Sequence, residues 1–302
     1  MCAVFGFVDY GGKLSKREKI RLTNALAQAC EARGGDACGI SYVEKGKLQI
    51  HKRPLPAHLM NFQLPEGVVT VSGHTRLATQ GDARSNINNH PFSGTCGGVD
   101  FTLSHNGIIY NDVDLHRERM LPDTPIQTDS YVAVQLLEKE KRLDLEHIKM
   151  VAEALEGSFV LTILDDKNNL TIVRGNNPCA VVHLPKKDCY VYASTSMLLN
   201  EALSKMQSFG CTENVTLKEG DIIQITASGK LNRTTFDMSR LRYPWYCCDN
   251  AFEYAPKFES QYVKDLKQLA EHLGYSRRQV DLLLQDGLTA DEIAELFYEV
   301  EG

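Results

Sequence analysis

The chain opens with MCAVFGFVD, residues 1–9. Seven apolar or glycine residues, 2–8, run together before the first charge at Asp9. The run is too short to span a membrane. It has no basic flank and no small-residue cleavage site, so it does not read as a secretory signal. Successive side chains of a strand point to opposite faces. A continuously apolar strand is therefore one covered on both faces. The cysteine at its head has two readings. It is one more small buried hydrophobe, or it is a nucleophile. A nucleophile needs a base, because a thiol of pKa about 8.5 is mostly protonated at neutral pH.

The same kind of run recurs through the first 240 residues. GVVTVSG, FTLSHNG, GSFVLTILDD, LTIVRG, CAVVHL, YVYAS and GDIIQIT read as strands bounded by Gly, Asn, Asp and Pro turns. Helical periodicity is confined to about 16–32, 128–140, 145–156 and 195–206. Many strands, few helices and doubly covered sheets predict stacked sheets with helices outside. From 259 the pattern changes to three short helices. Gly274 ends the first, Ser276 caps the second, Asp286-Gly287 turns the chain, and Thr289 to Glu292 forms a capping box for the third. Val280, Leu283, Leu284, Leu288, Ile293, Leu296 and Phe297 would share one small core. These signals predict a sheet domain over 1–240, an aromatic connector over 241–258 and a small acidic helical bundle over 259–302.

Charge narrows the partners. The net charge is −6. Residues 259–302 hold ten acidic and four basic side chains, so the tail carries all of it and residues 1–258 balance. Neither part offers a basic footprint for nucleic acid, and no apolar run predicts a membrane partner. The nine cysteines include no CxxC pair. That suits a reducing compartment, and a cytoplasmic location is expected. The adjacent Cys247 and Cys248 read as structural thiols on opposite faces of a strand.

Polar clusters sit at the ends of the apolar runs: GHTRLATQG at 73–81 with NNHPF at 88–92, SHNGIIYN at 104–111, TDSYVAV at 128–134 and, more weakly, EARGGDACG at 31–39. They supply what Cys2 lacks. If Met1 is removed, the freed α-amino group of Cys2, with a pKa of about 7.7–8.0, is a base held on the nucleophile itself. Asn106 and Gly107 offer a side-chain amide and a backbone N–H to a developing oxyanion. Arg76 suits a carboxylate, which arginine holds with two parallel bonds, and Asp129 suits an ammonium.

Cys2, GHTRLATQG, NNHPF, SHNGIIYN and TDS, in this order, closely resemble the glutaminase domain of class II glutamine amidotransferases, which are N-terminal-nucleophile hydrolases. The resemblance covers roughly residues 2–235 and takes in EGSFVLTILDD, RGNNPCAVV, YVYASTS and LKEGDIIQIT. It is nearest the amidophosphoribosyltransferase and glucosamine-phosphate synthase branch. It implies an α+β fold, a four-layer αββα sandwich, with the three-helix bundle appended. It implies that Cys2 attacks the side-chain amide of L-glutamine and releases ammonia through a glutamyl thioester, without a cofactor or metal. Asn106 and Gly107 would form the oxyanion hole. Arg76 would hold the substrate carboxylate and Asp129 its ammonium. Leu77, Thr79 and His90 would line the glutamine pocket. Arg33 would support the nucleophile, or anchor its own loop. His74 and His105 read equally as core histidines. Leu77 stands where some members carry an aromatic, and Gln80 where some carry histidine.

About 60 residues follow the resembling region. They are too few for a phosphoribosyltransferase, sugar isomerase or ATP pyrophosphatase, and they hold no phosphate-cradling glycine loop. Three functions fit: a glutaminase subunit serving a separate synthase, a free-standing glutaminase or amide hydrolase, and a non-catalytic glutamine-sensing protein. The full set of catalytic residue types argues against the last.

Overall fold

In a computed structural model that describes residues 2–206, 209–242 and isolated positions between 266 and 293, strand β1 (Ala3–Asp9) is buried along its whole length. It alternates as a doubly covered strand must. Ala3, Phe5 and Phe7 enter one apolar cluster, and Val4 and Val8 enter another. Helix α1 (Lys16–Cys30) starts on a capping box: Ser15 Oγ accepts from Glu18 N at 3.3 Å, and Ser15 N donates to Glu18 Oε2 at 2.9 Å. Strands β2 (Ala37–Glu44), β3 (Lys47–Arg53), β4 (Thr70–Arg76), β5 (Phe92–Cys96) and β6 (Val99–Ile109) follow. Helices α2 (Asp112–Glu118), α3 (Tyr131–Lys139) and α4 (Leu145–Ala154) come next. Then come β7 (Gly157–Asp165), β8 (Leu170–Arg174), β9 (Ala180–Leu184), β10 (Cys189–Ala193), helix α5 (Ser196–Ser204), β11 (Glu213–Val215), β12 (Asp221–Ile225) and β13 (Leu231–Thr235).

Two sheets form, with antiparallel ladders throughout. One has seven strands in the order β11-β9-β10-β1-β4-β2-β3, the other six in the order β13-β12-β8-β7-β6-β5. Three apolar clusters separate four layers. The first packs α1 and α5 on the outer face of the seven-stranded sheet, through Leu22, Leu26 and Leu199 against Phe5 and Phe7. The second packs α3 and α4 on the six-stranded sheet, through Leu137 and Val151 with Phe159 and Leu161. The third lies between the sheets, where Val4 and Val8 join Val160, Leu164, Ile172 and Ile223. The fold is the αββα sandwich. Each fully buried Phe or Leu contributes roughly 1.5–3 kcal/mol through lost water contact, so β1 and β7, apolar on both faces, anchor all three clusters.

The inter-sheet space turns polar along part of its width. Ser41 Oγ lies 2.7 Å from Thr102 Oγ1, and Tyr192 OH donates to Ser72 Oγ at 3.0 Å. Along β4 the residues on that face are Ser72, His74 and Arg76, a polar row leading to the strand's end.

The four expected helices are present with trimmed ends. Helix α1 stops at Cys30 because Glu31–Arg33 tightens into a 3-10 turn. Helix α3 starts at Tyr131 with no side-chain cap, since Asp129 and Ser130 bond elsewhere. Helix α2 and strands β2, β3, β5, β11 and β13 add to the runs read from the sequence. Four of those strands are the edges of the two sheets. An edge strand needs no long apolar run, and KLQIHKR or LNRTT carry the polar residues that discourage edge pairing.

The chain divides into two compact units, 1–244 and 245–302. In the second, Leu266, Ala270, Val280 and Ile293 are buried together, with Tyr275 and Leu283 against them. Ser276 Oγ accepts from Gln279 N at 3.3 Å, and Ser276 N donates to Gln279 Oε1 at 2.7 Å, so Ser276 does cap a helical turn. The connector from 243 to 258, with Cys247 and Cys248, lies outside the described residues. So do Gly274, Asp286-Gly287, Thr289 to Glu292, Leu284, Leu288, Leu296 and Phe297. Among the described residues no helix is long and apolar enough to cross a membrane.

Candidate active site

Cys2 sits one residue before β1, and the ladder pairs Ala3 with Thr75 of β4. That register carries Cys2 to the end of β4. Leu77 N donates to Cys2 Sγ at 3.4 Å, and Sγ reaches Leu77 O at 3.4 Å. Arg33 Nε donates to Cys2 O at 3.0 Å. Gly34 lets this loop close on β4: a Cβ there would lie 2.4 Å from the Arg76 carbonyl carbon. Burial pushes the Cys2 thiol up, and the Asp129 carboxylate adds to the rise; the Leu77 N–H and the Arg76 charge oppose it without cancelling it. The thiol is therefore protonated at rest and gains nucleophilicity only through a base.

Arg76 ends β4 and is 3% exposed. Its Nη1 donates to Asn89 Oδ1 at 2.7 Å, and its Nη2 to the carbonyls of Gln80 at 2.5 Å and Gly81 at 3.0 Å. The guanidinium pins the 77–81 loop in this way. A second clamp comes from Asp36, whose Oδ2 accepts from Ala78 N at 2.7 Å. Lys52 on β3 steadies the other side, donating to Asn89 O at 2.5 Å and Pro91 O at 3.0 Å. Burial, reinforced by the nearby Arg76 charge, lowers its ammonium to about 8.

Asn106 and Gly107 lie on β6. Asn106 Nδ2 donates to Ser194 Oγ at 3.3 Å, and the same oxygen accepts from Val4 N at 2.9 Å. One hydroxyl thus ties the amide to β1, two residues from Cys2. Gly107 has φ +149°, and a Cβ there would lie 1.8 Å from Ser158 O, so only glycine fits. Asp129 is buried before α3; its Oδ2 accepts from Ile109 N at 2.7 Å and its Oδ1 from Ser130 Oγ at 3.3 Å. It is thus held two residues beyond Gly107.

The structure joins Cys2 to Arg33 and to the Leu77 backbone by direct hydrogen bonds, sets the Arg76 charge near Cys2, and joins Asn106 to β1 through Ser194. Asp129 is held against β6 and feels both Cys2 and Arg76 electrostatically. The Leu77 side chain is 38% exposed, and Thr79 is exposed on the same loop. His90 is buried between the rings of His74 at 4.2 Å and Phe92 at 4.4 Å, and neither of its ring nitrogens has a hydrogen-bond partner. Burial keeps it neutral, with His74 and His105 lowered for the same first reason. His74 Nε2 meets His105 O at 2.9 Å, and His105 Nδ1 meets Ser130 Oγ at 2.7 Å, so both bond within the core.

Reading the sequence for chemistry missed the residues that hold the site: Asp36, Lys52, Asn89, Ser130 and Ser194. All but Lys52 lie inside the segments that the sequence marks as apolar runs or polar clusters. Nothing in an Asn or Ser by itself, however, marks a partner across the chain.

Residues 74–201 match the family described as "Glutamine amidotransferase domain". The chain is 28% identical over 268 residues to glutamine–fructose-6-phosphate aminotransferase (isomerizing) of Bacillus licheniformis, covering 82% of this chain and 42% of that protein. It is 30% identical over 244 residues to the enzyme of the same name from Staphylococcus aureus, covering 76% of this chain and 38% of that one. The chain therefore spans about two fifths of the curated relatives it matches. Among solved structures it superposes on the glutamine phosphoribosylpyrophosphate amidotransferase of B. subtilis with TM-score 0.64 and 20% identity, over 89% of this chain and 58% of that one. The chain carries a glutamine amidotransferase domain, matched over 74–201, and the superposition gives it the fold of the class II, N-terminal-nucleophile amidotransferases.

Proposed function

We propose that Cys2, freed of Met1, hydrolyses the side-chain amide of L-glutamine through a glutamyl thioester, and that the ammonia passes to an acceptor on a synthase partner. The observation that carries this reading is the position of Cys2 Sγ: 3.4 Å from the Leu77 N–H, one residue beyond the buried Arg76. The raised thiol supports the need for a base, and the α-amino group of a processed Cys2 supplies one. The Sγ proton moves to that amine. Sulfur then attacks the amide carbon, and the C=O electron pair moves to oxygen, where the Asn106 amide and Gly107 N–H receive it. Collapse expels ammonia, which takes the proton from the α-ammonium. Water, deprotonated by the same amine, cleaves the thioester and yields glutamate.

In this reading Arg76 takes the substrate carboxylate and Asp129 the ammonium. Nη2 of Arg76 is committed to the Gln80 and Gly81 carbonyls, so an arriving carboxylate has to share or displace them. Binding and rearrangement of the 77–81 loop are thereby linked, with Leu77 and Thr79 carried on that loop. Arg33 orients Cys2 through its carbonyl. His90, buried and neutral, lines the glutamine pocket.

Purified variants test these roles. Cys2→Ala abolishes ammonia release while glutamine still binds. Asn106→Ala lowers kcat by about 10²–10³, the usual size for one oxyanion donor. Arg76→Ala and Asp129→Ala chiefly raise KM. Full turnover in Asn106→Ala would refute the oxyanion assignment, and a wild type that binds glutamine without turnover would favour a sensor.

A further inference from the structure

The carbonyl of Asn106 and the N–H of Gly107 belong to one peptide unit. That unit is planar, so a group that fixes the direction of the carbonyl also fixes the direction of the N–H. Asn177, in the turn between β8 and β9, donates from Nδ2 to Asn106 O at 2.8 Å. Its Oδ1 accepts from Ser158 Oγ at 2.8 Å. The hydroxyl donor sets which end of the amide faces the carbonyl. Both residues are buried, at 8% and 5% exposure. Gly107 leaves no slack on its side, for a Cβ would lie 1.8 Å from Ser158 O and 2.8 Å from Asn177 Nδ2.

We infer that Asn177 is a positioning residue for the oxyanion site, aiming the Gly107 N–H through the Asn106 carbonyl, and that Ser158 in turn holds Asn177. The inference rests on the oxyanion role proposed above for Asn106 and Gly107. Oxyanion donors act because they already point where charge will develop, at no cost of reorganisation during the reaction. A hydrogen bond to a peptide carbonyl also polarises that peptide and strengthens its N–H by about 10–30%. Both effects act on the transition state and leave ground-state glutamine binding alone.

The test uses the processed full-length chain and four variants: Asn177→Ala, Asn177→Asp, Ser158→Ala and Cys2→Ala. Asn177→Asp keeps the shape and the bond from Ser158 but replaces the donor to Asn106 O with an acceptor. Besides kcat and KM, the inhibition constant is measured for glutamate and for a glutamine analogue bearing an aldehyde in place of the amide, its open-chain fraction determined by NMR. The Cys2 thiolate adds to the aldehyde carbon. An S–C bond forms, the C=O pair moves to oxygen, and the adduct carries the oxyanion. Both Asn177 variants are expected to lower kcat by about 10–100-fold, less than loss of a whole donor. They should weaken the aldehyde by the same factor, with KM and glutamate binding within about twofold, since only transition-state binding changes. Ser158→Ala should do the same by about threefold, as loss of one supporting bond. Equal weakening of glutamate and aldehyde would mark a merely structural role and overturn the inference. If the Asn177 variants fail to fold, an unchanged kcat in Ser158→Ala overturns it. Wild-type-like kcat in the Asn177 variants beside an inactive Cys2→Ala overturns this inference alone, whereas an active Cys2→Ala overturns the functional reading beneath it.

Discussion

Cys2 is half-buried among several fully buried thiols, and what sets it apart is its neighbours. Burial raises Cys30 to about 12 and Cys179 to about 12. Cys2 is raised by burial as well, but its sulfur accepts from Leu77 N at the edge of a loop, beside the Arg76 charge. The residues legible in the sequence were those with chemistry of their own: a thiol, a guanidinium, a carboxylate, an Asn-Gly pair. Ser194 was not legible as part of the site. Its hydroxyl joins Val4 N and Asn106 Nδ2 across 190 and 88 residues of chain, and no local pattern encodes such a link. Its role is measurable. Ser194→Ala strands the buried Val4 N–H, which costs about 1–3 kcal/mol, and it frees the Asn106 amide. Urea denaturation should show the loss of stability, and kcat should fall while KM holds. A variant with unchanged kcat would separate Ser194 from the site.

At the scale of elements, the sequence revealed the interior strands except β2 and missed the edges. β1, β7 and β12 bury both faces and therefore spell continuous apolar runs. β3 is half-buried and polar, so its pattern says little, yet Lys52 on it steadies the segment that holds Arg76. Lys52→Met should raise KM for glutamine several-fold by releasing Asn89. It should also change the pH dependence of stability. The folded-state value of Lys52 is lowered from 10.5 to about 8. Between about 8 and 10.5 the unfolded chain therefore binds more protons than the folded one, and wild-type stability gains with rising pH. The cost of charging Lys52 is fully present below about 8. Urea midpoints should show wild type gaining on Lys52→Met across that window. Parallel curves would mean that Lys52 carries no such cost. The missing cap of α3 was equally invisible in the sequence: the TDS segment looks like a helix start, but Asp129 and Ser130 bond to β6 instead.

For the whole molecule, the four layers follow from one property of the sequence, strands that are apolar on both faces beside a few amphipathic helices. Which strands pair was not legible, because ladders such as β1 with β10 join residues almost 190 positions apart. The acidic segment 259–302 bears on partnership. If it docks a synthase, its charge favours a basic surface and the coupling should weaken with salt. Deleting 259–302 should then leave glutamine hydrolysis intact and uncouple it from the acceptor. Unchanged coupling in a folded truncate would assign docking elsewhere. The central claim concerns the other end of the chain and is tested by intact-mass and peptide mass spectrometry of enzyme acid-quenched during glutamine turnover. The account predicts active protein that lacks Met1 and carries a glutamyl adduct on Cys2. Turnover by protein that retains Met1, or an adduct on any other residue, would contradict it.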